Sequence, residues 1–242
     1  TIMTTLVRIT VALILALLLS SCGFDINFGS GQAGNGVVVE ETREITEEFT
    51  EVSASEGLEV FVSQGTDFDI AVEADENIID FIGTDIKNGK LKIHCVENIG
   101  RATKKIFVTM PNVSGLYASS GAHLTTENKI QSDKLEIDAS SGAILNAIVQ
   151  ATNMDIDASS GANISLEGTA NEVYVDASSG SNVRANDLAT SEANADASSG
   201  ANISIDVKDN LTAEASSGGN ISYKGDPTVQ KNKSVSGSVH KY

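Results

Sequence analysis

Downstream of residue 115, apolar and polar side chains alternate in short runs, and the runs recur with a common beat. The tetrapeptide Ala-Ser-Ser-Gly begins at Ala118, Ala139, Ala158, Ala177, Ala197 and Ala215, so successive copies lie 21, 19, 19, 20 and 18 residues apart. Counted from the glycine of each copy, the third residue on is Leu124, Leu145, Ile164, Val183, Ile203 or Ile221, aliphatic every time. Five residues before the glycine stand Leu116, Ile137, Ile156, Val175, Ala195 and Ala213. Seven before it, in the last five copies, come Leu135, Met154, Val173, Ala193 and Leu211. Alternation of these positions with polar ones is the period-two signature of strands with one buried face. Each unit therefore reads as strand, Ser-Ser-Gly corner, strand, and a second turn such as Glu167 to Ala170.

Two short strands in a unit of about 19–20 residues cannot bury their apolar faces alone. Coiling the units in register stacks each aliphatic column on the one below, which predicts an all-β fold, a right-handed parallel β-helix. A hairpin meander would invert alternate units and give no reason for the same corner each time. Glycine at the corner supplies a positive φ, and the serine hydroxyls beside it suit Ser/Thr turns. At ~4.8 Å per rung, six rungs make a rod of about 30 Å.

Residues 111–225 hold the regular rungs, bracketed by Pro111 and Pro227. Upstream, residues 41–110 carry a degraded version of the pattern: Ser55-Glu56-Gly57 is followed by Val60 and Val62, and Gly57 lies 64 residues before Gly121. Ile70–Ala74, Leu91–Cys95 and Ile106–Met110 are candidate strands, and Glu76–Ile82 has room for one or two helical turns. Whether this region forms irregular rungs of the same rod or a separate β domain is open at this level. Residues 226–242 are lysine-rich, end in an alternating stretch from Val235 to Val239, and read as a cap over the open strand edges of the rod.

The first residues are an address. The apolar run Ile9–Leu19 follows Arg8 in the order of a secretory signal. It leads into Leu19-Ser20-Ser21-Cys22, which resembles a bacterial lipobox. In such signals the cysteine thiol receives a diacylglyceryl group and becomes the mature N-terminus. The expectation is a signal peptide over 1–21, a lipidated Cys22, and a Gly/Asn-rich tether over 22–40. The protein is then exported and anchored in the cell envelope, at the outer membrane, facing the periplasm or the outside. With Cys22 alkylated, Cys95 has no disulfide partner, and its phase with Leu91 and Ile93 gives it the role of a small buried hydrophobe.

Charge narrows the partners. With 33 acidic against 16 basic residues, a net charge of −17 repels nucleic acid and anionic headgroups. Part of that charge is arranged: Tyr117, Asp138, Asp157, Asp176, Asp196 and Glu214 each stand immediately before the alanine of a copy. On a coiled ladder the five carboxylates form one file. Neighbours about 5 Å apart repel by about 1 kcal/mol in water. Calcium, which takes six to eight oxygens, would relieve the repulsion, and these five residues are the candidate metal ligands. A hydrated acidic face is the plainer reading. Two residues after each glycine come His123, Ile144, Asn163, Asn182, Asn202 and Asn220, an asparagine file suited to rung-to-rung amide bonding.

Catalytic machinery is sparse. Arg184 is the lone arginine among the six copies, and His94, His123 and His240 show neither metal nor triad spacing. The expected function is therefore non-catalytic surface binding or scaffolding. A calcium-dependent protein acting on polysaccharide, with Arg184 near the acidic file, is the alternative.

The Ala-Ser-Ser-Gly-Ala-Asn core, together with the stretches from Glu56 to Gly65 and from Val72 to Ile79, resembles the head GIN domain family, named for autotransporter adhesins and common among Bacteroidetes lipoproteins. The likeness spans roughly residues 45–240. It implies a right-handed β-helical body with an adhesin label, no established catalytic residue and no cofactor; a glycan or protein ligand is the expected partner.

Overall fold

The computed structural model describes residues 31–232 and 236–242. The expected signal peptide, the expected lipidation site Cys22, and Val235 lie outside them. Among the described residues, seventeen strands form one sheet that coils into a parallel β-solenoid of about 7 turns with rungs of about 19 residues.

Five long strands make the body: β10 (Ile130–Ala139), β11 (Ile144–Ala158), β12 (Asn163–Ala177), β13 (Asn182–Ala197) and β14 (Asn202–Ala215). Each runs parallel to the next in a register that superposes equivalent residues, as in Ile137↔Ile156, Ile156↔Val175, Val175↔Ala195 and Ala195↔Ala213. All the aliphatic columns expected from the repeat are buried. One of them shrinks from Leu116 and Ile137 at one end to Ala195 and Ala213 at the other, while Leu188, Ile205 and Leu211 fill the interior of the later rungs.

The Ser-Ser-Gly corners are tight turns. The amide after each glycine bonds back to the carbonyl of the first serine, as in Ala122 N to Ser119 O and Ala162 N to Ser159 O, both 3.0 Å. Both central residues are left-handed: φ is 46–52° at the second serine and 72–80° at the glycine across the six copies. That combination is a type I′ turn. Each corner glycine also donates to the serine carbonyl of the next rung, from Gly57 to Ser120, Gly121 to Ser141 and onward, at 2.9–3.1 Å. The alanines on either side point inward and are buried, and Ser181, which replaces one of them, is buried with Oγ 2.9 Å from the Ala158 carbonyl.

The second turn expected at Glu167–Ala170 is instead a bend within β12. Ile148↔Glu167, Val149↔Gly168 and Gln150↔Thr169 remain paired across it. Gly168 is needed there because its φ is 119° and a Cβ would lie 1.9 Å from the Val149 carbonyl oxygen.

Upstream, the chain stacks out of sequence order. β2 (Glu51–Ala54) and β3 (Glu59–Gln64) form one coil around a corner at Glu56 and Gly57, with φ of 61° and 67°. That coil lies between β8 (Gly115–Ala118) with β9 (His123–Thr126) on one side and β6 (Lys90–Cys95) with β7 (Lys104–Met110) on the other, all parallel. Antiparallel strands finish this end: β4 (Asp69–Asp75) on β7, β1 (Val38–Thr42) on β4, and β5 (Ile82–Lys87) on β6. A single 3₁₀ turn at Ile79–Phe81 occupies the stretch with helical potential. Cys95 is half-buried at the end of β6. At the other end, β15 (Asn220–Lys224) and β16 (Thr228–Lys231) pair with β14, and β17 (Ser238–Lys241) pairs with β15, so residues 226–242 add strands to the ladder.

Candidate functional site

Alternation along each strand sends one residue in two outward, and parallel register converts those residues into files. Immediately before each corner the file runs Tyr117, Asp138, Asp157, Asp176, Asp196, Glu214, every member paired with the next. Glu136, Asp155 and Tyr174 form a parallel file two residues earlier. Burial and crowding both act on these carboxyls. Partial burial, then Glu136, raises the Asp138 carboxyl above its ordinary range, with Lys90 opposing. Partial burial raises Asp157, helped by Asp155, Asp138 and Asp176, and it raises Asp196, helped by Asp176 and Glu214.

Among the described residues, no group of three or more His, Cys, Asp or Glu side chains is placed to hold a metal ion. The reason is geometric: a ladder spaces carboxylates along a line at ~4.8 Å, whereas calcium requires oxygens converging from several directions at 2.3–2.6 Å. Asp138, Asp157, Asp176, Asp196 and Glu214 line up rather than converge. Asn232 donates to Glu214 at 3.2 Å, and a shallow groove of about 260 Å³ runs past Asp155, Tyr174, Asp176, Asn194 and Asp196.

Charge reverses where the file meets β2 and β6. The Lys90 ammonium sits 3.5 Å from the centroid of the Tyr117 ring and 2.9 Å from Glu51. Tyr117 lies over Gly115, where a Cβ would come within 2.6 Å of the ring. Burial, with Glu51 and Glu136 beside the hydroxyl, pushes its phenol well above the ordinary range.

Beyond the corner, the asparagine file forms the expected ladder on the outer face: Asn182 Nδ2 donates to Asn163 at 3.3 Å and Asn202 Nδ2 to Asn182 at 3.1 Å. Arg184 belongs to this segment, exposed between Ser165 and Ser204 in register, and takes part in none of the ion pairs among the described residues. His94 pairs with Asp85 at 2.7 Å, while His123 and His240 lie on other strands.

Two features carried no sequence signal strong enough to single them out. Phe61 and Phe107 stack on the outer face, centroids 5.1 Å apart and 16° from parallel, because the out-of-order rung brings β3 beside β7. A larger groove, about 510 Å³, opens where the connection through Asn112 and Ser114 passes the bends of β10 and β11. Its walls are stitched by carboxamides. Gln64 accepts from the Gln131 amide at 2.7 Å and donates to the carbonyls of Gln131 and Pro111 at 3.1 and 3.0 Å. Asn128 in turn brackets the Gln64 backbone at 2.9 and 2.8 Å. Isolated glutamines and asparagines look like ordinary surface residues, and only the fold brings these together.

Fold and surface thus define a parallel β-solenoid that displays files of polar side chains and open grooves between them. The chain belongs to the family described as "Putative auto-transporter adhesin, head GIN domain", whose model matches residues 48–227. Among solved structures it is similar to a "putative adhesin" of Bacteroides fragilis NCTC 9343, at 19% identity and a TM-score of 0.80, covering 88% of this chain and 100% of that one. A second, of Parabacteroides merdae ATCC 43184, shows 21% identity and a TM-score of 0.71, with 87% and 98% covered. A third, from Parabacteroides distasonis ATCC 8503, is described as a "putative lipid binding protein"; it has 19% identity and a TM-score of 0.64, with 87% and 99% covered. At these identities the likeness shows the fold. Among proteins with curated descriptions, none matches the sequence.

Proposed function

We propose that this chain is a non-catalytic binding module of the bacterial cell envelope, lipid-anchored through Cys22, that engages a ligand along the outer faces of its solenoid. The observation that carries this reading is the register. Along most of each rung an outward residue has its counterpart one rung away, interrupted by register shifts near Glu167, Ala189 and Glu192, so the surface is a lattice of side chains whose backbone is bonded rung to rung. Such a lattice suits recognition spread over several rungs, with little ordering cost on binding. Membership in a family described by an adhesin label supports the same direction. No helix among the described residues is long and apolar enough to cross a membrane.

Two experiments test it. The mature chain carrying Cys22→Ser, applied to an array of glycans and extracellular proteins, is expected to show selective capture; an array with no capture above background overturns the binding reading. Labelling of cells with an alkyne fatty acid is expected to tag the wild-type protein and not Cys22→Ser, and an untagged wild type removes the anchor.

A further inference from the structure

We infer that the groove of about 510 Å³ between the 112–114 connection and the bends of β10 and β11 is a binding site for an uncharged, hydroxyl-rich ligand, a neutral glycan segment. This rests on the binding-module reading and names its ligand class and location.

Charge contrast is the first argument. The protein carries −17, yet this groove is lined by carboxamides and hydroxyls, and its one carboxylate, Asp133, has Lys134 beside it. A cationic partner is drawn to the acidic file instead, and an anionic one is repelled by the whole molecule. What fits a formally neutral hydrogen-bonding wall is a neutral polar ligand.

Availability is the second. The side chains of Asn112, Gln131, Gln150 and Thr152 have no hydrogen-bond partner among the described residues. Each carboxamide offers two donors and two acceptor sites, a complement to vicinal hydroxyls. Gln131 and Gln150 are paired in register on adjacent strands, so their amides are displayed one rung, ~4.8 Å, apart. That spacing is comparable to the repeat of an extended pyranose chain.

Pre-organisation is the third. Gln64 ties the strand bearing Gln131 to the connection bearing Asn112, and Asn128 holds Gln64. Gln64 and Asn128 are positioning residues: their side-chain bonds go to the protein backbone and join the groove walls. A volume of this size is within the range of small-ligand clefts.

The test uses the mature Cys22→Ser chain with cello-, manno-, xylo- and chito-oligosaccharides as probes and oligogalacturonate as the anionic comparison, followed by calorimetry and amide NMR shifts. At least one neutral probe is expected to bind, with shifts centred on residues 112–114, 131–134 and 150–152. Gln131→Ala combined with Gln150→Ala is expected to weaken it about tenfold or more. Those side chains hold nothing within the protein, so the variant folds, which circular dichroism checks. Arg184→Ala, on another segment, is expected to leave affinity unchanged. The inference is overturned if no neutral probe binds, if binding ignores the double variant, or if oligogalacturonate binds the groove equally well. Capture of proteins alone on the array, insensitive to the double variant, would sink the glycan groove and leave the binding module standing.

Discussion

Six serines in the left-handed region are the least ordinary residues of this chain, since a non-glycine residue there costs roughly 1–2 kcal/mol. They persist because the type I′ geometry feeds each corner glycine amide to the carbonyl of the next rung, and one bond per corner repeats the length of the rod. Glycines in the same repeat differ sharply in what they do. Gly161 faces open space, so Gly161→Ala adds only left-handed strain and is expected to lower stability by about 1 kcal/mol in urea denaturation. Gly168→Ala would push a methyl to 1.9 Å from the Val149 carbonyl oxygen and is expected to lower stability by several kcal/mol or abolish folding. Equal effects of the two substitutions would contradict this division. Sequence identifies Gly161 readily, because it belongs to a motif. Gly168 has no such marker; its neighbours read as a turn, and only the adjacent strand shows why a side chain is forbidden.

At the scale of an element, the outward files decide local balance. Asn182 both donates to Asn163 and accepts from Asn202, so Asn182→Ala breaks two partly exposed bonds and is expected to lower stability by about 1 kcal/mol. Thermal melts of this variant against Asn220→Ala, which lies at the end of the file, provide the comparison. The acidic file works in the opposite direction. Asp157 is raised by partial burial and by Asp155, Asp138 and Asp176, so its protonated form is the one the fold favours. Its stabilising contribution is present below the ordinary carboxyl range and is lost as pH rises through the raised value. Asp157→Asn is therefore expected to melt higher than wild type at neutral pH, and the gap is expected to close as pH falls. A gap that widens on acidification would show that the carboxylate is stabilised in the fold. Added salt is expected to narrow the gap too, because screening weakens repulsion along the file.

Over the whole molecule, the regular rungs depend on the irregular ones. β8 and β9 are covered by β2 and β3, from residues more than fifty positions upstream, and those in turn by β6 and β7. A fragment beginning at Asn112 would keep all six repeats and expose two bare parallel edges. Light scattering is expected to find it aggregated, whereas a fragment that keeps β1 to β9 stays monomeric. A monomeric, cooperatively melting Asn112 fragment would show that the repeats are self-sufficient.

The sequence by itself determined the coil, its rung length, its buried columns, its corners and its outward files, because a repeat of about 19 residues with period-two alternation has few ways to bury its apolar face. It also placed the acids and asparagines correctly in line. What only the tertiary structure decided is what non-repeating residues do. The out-of-order coil, the Phe61–Phe107 stack, the Lys90–Tyr117 contact and the Gln64–Asn128 bracket all join residues that are distant along the chain. A repeat announces itself because its neighbours in space are its copies in sequence. A groove made from Asn112, Gln131 and Gln150 does not, because its parts become neighbours only after the strands have coiled.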